Sequence, residues 1–265
     1  WDKPFLHPIR TVSGLAVTRG FPLDKMEGES SDHVWHRGLW YAHGDVNGVD
    51  FWRERGRDKT GRLLLKGAPK YDTTRAGGWV AAEVEMAAPD GKTHGSLRQR
   101  FDFSRAGENN VLDAHITIRA DRGIPVKMGD TEEGSFGFRF ADEFREDRGA
   151  TLMNSDGLVG TKNIWGKRAN WVDYSTMLKG RQAGVAIFDH PKNPKHPTYW
   201  HSRSYGLFAA NIFGEHDFYN DKARDGGVTV EPGNSLRFRY RVIIHPGDSV
   251  SANIADLYKK YKEGK

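Results

Sequence analysis

Three histidines, His33, His36 and His43, fall within eleven residues, with Trp35, Arg37, Trp40 and Tyr41 among them and Asp45, Asp50 and Trp52 just beyond. Imidazole titrates nearest neutral pH and is also a common metal ligand, so the run suits proton transfer or metal binding. Indole rings beside carboxylates and a guanidinium suit a ligand with both apolar faces and hydroxyls. Gly38, Gly44 and Gly48 interrupt the run, which predicts loop and short strand rather than helix. On a helix His33 and His36 share a face; on a strand they point to opposite faces, so their convergence depends on the turn between them. With Asp45 or Asp50, the three imidazoles suit zinc, manganese or iron. A bare His-x-x-His without a His-Glu-x-x-His helix is a weak metal signal, so a metal-free acid–base site stands ahead of a metal set. The plain alternative is that His33 and His36 only hydrogen-bond loop carbonyls.

A second run, DHPKNPKHPTYWH from Asp189 to His201, repeats that composition. His190, His196 and His201 stand there with Tyr199 and Trp200. Pro191, Pro194 and Pro197 stiffen an extended loop after a strand. Such a loop either presents binding residues or is a rigid connection. Two His-aromatic loops predict one cleft seen from two sides. Carboxylates at strand ends add general bases: Glu132 and Glu133 before one strand, Glu215 and Asp217 around His216 after another. Adjacent acids are more often solvated turns. Arg139 alternates with Phe136, Phe138 and Phe140, so it faces a polar groove or solvent, away from their core.

The elements that must hold these residues read as β. Residues 111–120 alternate cleanly, with Leu112, Ala114, Ile116 and Ile118 on one face. Residues 136–140 alternate likewise. So do residues 236–244, whose other face carries Arg237, Arg239 and Arg241. Further strands are expected at 15–18, 63–66, 80–86, 97–103, 184–188 and 207–212, with turn-forming Gly, Pro and Asn between them. One helix is expected at the carboxyl end: capped by Ser249 or Ser251, it puts Ile254, Leu257, Tyr258 and Tyr261 on one face and packs on the sandwich edge. The prediction is an all-β, two-sheet sandwich with a short C-terminal helix, as one domain over 1–265.

Composition excludes several classes. The chain has no cysteine, hence no disulfide, zinc-thiolate site or thiol nucleophile. Forty basic residues are interspersed with 35 acidic ones for a net charge of +5. That reads as a mixed surface, with no nucleic-acid stripe. No apolar run of about 18 residues is present to span a membrane as a helix. Phosphate-cradling loops and nucleophile elbows are absent. The first residue is Trp1, so a leader preceding it stays open, and so do cytoplasm and periplasm as compartments.

Three segments carry a resemblance: KPFLHPIRT at 3–11, residues 32–52, and GVAIFDHPKNPKHPTYWHSRSYGLFAANIFG at 184–214. They resemble a family of soluble bacterial proteins labelled PmoA-like methane oxygenases, and DHVWHRGLW at 32–40 is the most specific segment. A methane monooxygenase subunit is a membrane protein and this chain has no spanning run, so the resemblance supplies a family rather than an activity. The segment VEPGNSLRFRYR at 230–241 is similar to closing strands of galactose-mutarotase-like supersandwiches, which bind carbohydrate on a concave sheet. That resemblance implies His acids and carboxylate bases acting on sugars, at the level of the fold only.

These readings converge on a carbohydrate-active enzyme, a lyase, hydrolase or epimerase acting on a sugar or glycoside. His33, His36, His43, His190 and His201 line the cleft, and Glu132 or Glu215 accepts a proton. Trp35, Trp40, Trp52, Tyr199 and Trp200 offer surfaces, and Arg37, Asp45 and Arg139 hold polar groups. No cofactor is implied, although a metal on His33, His36 and His43 stays open. A non-catalytic sugar-binding module and a His-ligated metal enzyme, including an oxygenase, are the alternatives.

Overall fold

The structure, a computed structural model, describes residues 1–264. Fifteen strands occur among them: β1 Leu39–His43, β2 Arg62–Leu65, β3 Lys70–Thr74, β4 Gly77–Ala87, β5 Thr93–Ala106, β6 Asn109–Arg119, β7 Val126–Met128 and β8 Gly134–Arg139. They continue with β9 Thr151–Asn154, β10 Trp171–Leu178, β11 Arg181–Asp189, β12 Tyr199–Arg203, β13 Leu207–Asn211, β14 Val228–Val230 and β15 Ser235–Pro246. Short helices α1 Thr161–Ile164 and α2 Glu215–Phe218 interrupt them, and α3 Ile254–Lys262 ends the described chain. Among the described residues no helix is long and apolar enough to cross a membrane.

The strands form a nine-stranded sheet, β2-β4-β5-β6-β15-β11-β10-β9 with β3 also on β4, and a four-stranded sheet, β1-β8-β13-β12. Strands pair antiparallel in both sheets, which lets one face of each sheet be buried while the other stays polar. The alternating apolar residues turn inward and meet ring to ring. Phe136 stacks on Tyr240 at 4.5 Å, Phe140 meets Tyr174 at 4.7 Å, and Tyr41 meets Phe238 at 6.0 Å. These contacts tie β8 and β1 to β10 and β15 across a single apolar core, the sheet-on-sheet packing of a β-sandwich. The all-β sandwich expected from the sequence is the observed fold.

Four details differ from expectation. A third sheet, the ribbon β7-β14, stands beside the two main ones. Residues 15–18 make only isolated bridges, Arg10 to Ala16 and Thr18 to Phe140, because the segment runs beside the sheet rather than within it. Helix α3 starts after Asn253 in a left-handed conformation, with no side-chain cap. Ser249 contributes its carbonyl to the Ile254 N–H, and the Ser251 hydroxyl is occupied by Asp248. The helix also lies on the outer face of the large sheet, where Ile254, Tyr258 and Tyr261 cover Trp171, Phe188 and Ile243 as a second small core.

Candidate active site

The outer face of the four-stranded sheet holds the candidate site. Register sets a row across it: Trp40 opposite Gly137, Gly137 opposite Ala209, Ala209 opposite His201. Paired residues share a face, so Trp40 and His201 look outward from opposite edges of the sheet. Gly137 makes the floor possible. A Cβ there would sit 2.7 Å from the Trp40 ring and 2.9 Å from that of Trp52. One step along the strand, Arg139 rises on the same outer face, fully buried by what lies over it.

The cover is the loop from Asp32 to His36. His33 adopts a positive φ of 43°, which turns its side chain back over that of His36. The rings of His33 and His36 then lie parallel at 4.8 Å. Tyr205 continues the stack on the far side of His33 at 5.1 Å, and Trp40 beneath His36 at 5.3 Å. Trp35 meets His33 edge-on at 5.6 Å, and Trp52 meets His36 edge-on at the same distance. The turn thus supplies the convergence that strand geometry denies to residues i and i+3.

Asp32 organises the polar side. One carboxylate oxygen accepts from Arg19 at 2.8 Å and from Arg139 at 2.7 Å; the other accepts the His33 Nδ1 proton at 2.5 Å. Burial opposes ionisation of Asp32, but the His33 hydrogen bond and the two guanidinium charges outweigh it and hold the carboxyl well below its usual range. A permanently charged Asp32 fixes the His33 tautomer, leaving Nε2 without a protein partner among the described residues. The His33 side chain is 38 % exposed, so that nitrogen lies at the mouth of the cluster.

Two glutamates stand nearby. The Arg203 Nη2 donates to both oxygens of Glu132 at 2.8 Å, and Arg53 pairs with Glu133 at 2.8 Å. Burial pushes the Glu132 carboxyl up, opposed by Arg203 and reinforced by Glu133. Burial likewise raises Glu133, opposed by Arg53, reinforced by Asp50, and opposed by nearby His33. Arg203 Nε donates to His201 Nε2 at 3.3 Å, so the neutral His201 ring carries its proton on Nδ1, 3.7 Å from Glu132. Burial drives the His36 and His201 pKa values down, and Arg139 and Arg203 respectively reinforce this. Both rings are neutral. His36 has no partner on either ring nitrogen, and the indole N–H groups of Trp35, Trp40, Trp52 and Trp165 are also unpaired. Unpaired buried donors are costly, and several of them gather on this one sheet face, which makes it the candidate site.

The structure therefore brings together His33, His36, His201, Glu132, Trp35, Trp40, Trp52 and Arg139. It does not bring His43, which faces inward, donates Nε2–H to the Gly129 carbonyl at 2.8 Å and packs on Phe213. Its burial lowers the pKa to about 4, against the Gly129 bond. His190 sits edge-on to Tyr261 under α3, so the two His loops do not face one cleft; only His201 of the second reaches it. Glu215 turns to Lys195 and Arg224. Arg37 is held by Glu54 and the Val34 carbonyl beneath Trp1. Asp45 caps its own turn at the Gly48 N–H. Tyr199 shares the outer face but meets Tyr219 and Phe218 at the sheet's end. Trp200 points into the core and donates to the Ala169 carbonyl at 2.9 Å. Among the described residues no three His, Asp or Glu side chains converge as metal ligands, because His33 and His36 stack face to face and His43 lies on the other side of the sheet.

Sequence reasoning named Glu133 beside Glu132 as a candidate base but passed over Asp32, Arg19, Arg203 and Tyr205 as site residues. Asp32 was within reach, since it adjoins His33; the others come from distant segments with no local signal.

Among solved structures, the chain is similar to a galactose mutarotase-like protein from Lactobacillus casei ATCC 334, at 9% identity and a TM-score of 0.36, covering 69% of this chain and 73% of that one. No curated protein matches it. The DUF6807 model, a family of unknown function, matches residues 2–259, and the chain belongs to that family.

Proposed function

We propose that the protein is a carbohydrate-active enzyme, a lyase, hydrolase or epimerase, in which His33 is the proton-transferring group. The observation that carries this reading is the Asp32–His33 pair. Asp32 holds the Nδ1 proton, Arg19 and Arg139 hold Asp32 charged, and His33 Nε2 stays at a half-exposed mouth. A neutral imidazole in that geometry accepts a proton from a bound hydroxyl or from carbon, and an orienting carboxylate stabilises the imidazolium that results. Glu132 and Glu133, ion-paired to Arg203 and Arg53 while burial pushes their carboxyls up, are the carboxylate partners of this proton transfer. Trp35, Trp165 and Tyr205 at the rim suit the apolar face of a sugar ring, and the arginines and glutamates suit its hydroxyls.

The test is a panel of reducing sugars, uronic acids and aryl glycosides incubated with the protein in deuterated water and followed by proton NMR. One member should show exchange, elimination or hydrolysis that His33→Gln abolishes while the melting temperature holds. Saturable sugar binding without any chemistry across the panel would replace the enzyme reading by the binding-module one. Turnover retained in His33→Gln would remove His33 from the reaction.

A further inference from the structure

A four-stranded sheet cannot cover a nine-stranded one. The uncovered end lies on the inner face of β2, β3, β4 and β5, where register aligns Tyr71, Val80 and Phe101 on one face. Burial falls off along these strands. Val84 and Leu97 are buried, Val80 and Ala82 only partly, and Leu65, Phe103 and Tyr71 are 47 %, 38 % and 75 % exposed. The amino-terminal segment crosses this face and closes part of it into a cavity of about 400 Å³. Its walls are Phe5, Leu65, Val80, Ala82 and Phe101, with Trp1 at the rim. It shares no lining residue with the His33 cluster.

Two polar side chains line it. The Lys3 ammonium is already committed, to the Trp52 carbonyl at 2.7 Å and to Glu54 at 3.2 Å. Gln99 is not: it is 3 % exposed, and its Nε2 has no hydrogen-bond partner. A small apolar space with one unsatisfied amide has the composition of a ligand pocket. An amide both donates and accepts, so a ligand hydroxyl pairs with whichever end faces the cavity.

We propose that this end of the sandwich is a second binding site, for a small apolar molecule carrying one hydroxyl, seated between the Trp1–Leu6 segment and the bare face of β4 and β5, with its hydroxyl on Gln99.

The probes are 2-naphthol and naphthalene, titrated by calorimetry and tryptophan fluorescence into the whole chain. 2-Naphthol should saturate at one per chain and bind about tenfold more tightly than naphthalene, a ratio ordinary for one buried hydrogen bond. Gln99→Leu should bring the two together. Ala82→Trp should abolish binding with an unchanged melting curve; if that variant melts early, Val80→Met with Ala82→Met fills the same space more gently. Three results would overturn the proposal: no saturable binding, binding that survives the filled cavity, or a preference for naphthol that survives Gln99→Leu. A stable dimer by sedimentation that neither probe perturbs would also overturn it, since a second copy would then own the face.

Discussion

Two His–Asp pairs in this molecule have almost the same chemistry and opposite settings. In one, Asp32 accepts from His33 Nδ1 and the ring's other nitrogen is free at a half-exposed mouth. In the other, His245 Nε2 meets Asp173 at 2.7 Å while its Nδ1 meets the Pro246 carbonyl at 3.1 Å, with both side chains essentially buried. Asp32 is anchored by two arginines, whereas one Asp173 oxygen has no partner. The contrast shows that an Asp–His pair is not a site by composition. It becomes a candidate for chemistry when a nitrogen is left over and solvent can reach it. The second pair holds β15 to β10 beneath the outer surface of the large sheet, and its work is structural.

The largest separation between the pairs should appear in turnover. His33→Gln should lower kcat/KM on the sugar identified by the panel by about 10³-fold, the usual scale for losing a general acid–base group, and leave thermal stability alone. His245→Gln should do the reverse: turnover within a factor of two, and a loss of about 3 kcal/mol in urea unfolding, because removing one partner strands a buried charge. Equal effects of the two variants on turnover would break the comparison.

The pH dependence sharpens it. Burial opposes protonation of His245, but the Asp173 hydrogen bond and charge, aided by the Pro246 carbonyl, raise its pKa above the ordinary 6.5. A raised folded-state pKa means that its contribution to stability is complete below 6.5 and fades as pH climbs through the folded value. The stability gap between wild type and His245→Gln should therefore be widest in mild acid and narrow toward alkaline pH. A gap that widens with pH would contradict the assignment.

The smallest effect concerns His36. Its two ring nitrogens are buried without partners between His33 and Trp40. His36→Phe keeps the stack and removes the unsatisfied atoms, so it should stabilise the protein by about 1 kcal/mol in the absence of sugar. Sugar binding should weaken in the same variant if those nitrogens serve the ligand. A destabilised His36→Phe would show instead that they already have partners in solution.

Much of the fold was legible because strand alternation is a local signal. The Phe136, Phe138 and Phe140 series and the Leu112–Ile118 series could turn their apolar members only one way, and both do so. The strand β3, KYDTT, carried no such signal because every residue in it is exposed. The aromatic loops were legible as chemistry but not as geometry. Trp200 and His201 are neighbours in sequence and lie on opposite faces of β12, one in the core and one on the site floor. His33 and His36 looked separated by strand geometry and were joined by one residue in a left-handed conformation.

By itself the sequence determined the β class, the inward faces of its clearest strands, the absence of thiol chemistry and the segment from Asp32 to Trp52 as the place to look. Those follow from side-chain period and residue type, which act over a few residues. The tertiary structure alone decided which histidines meet, because Asp32, Arg19, Arg139, Arg203 and Tyr205 reach His33, His36 and His201 through sheet register and loop reversal, across separations that no local pattern encodes. It also decided that nine strands would face four, leaving one end of the larger sheet bare.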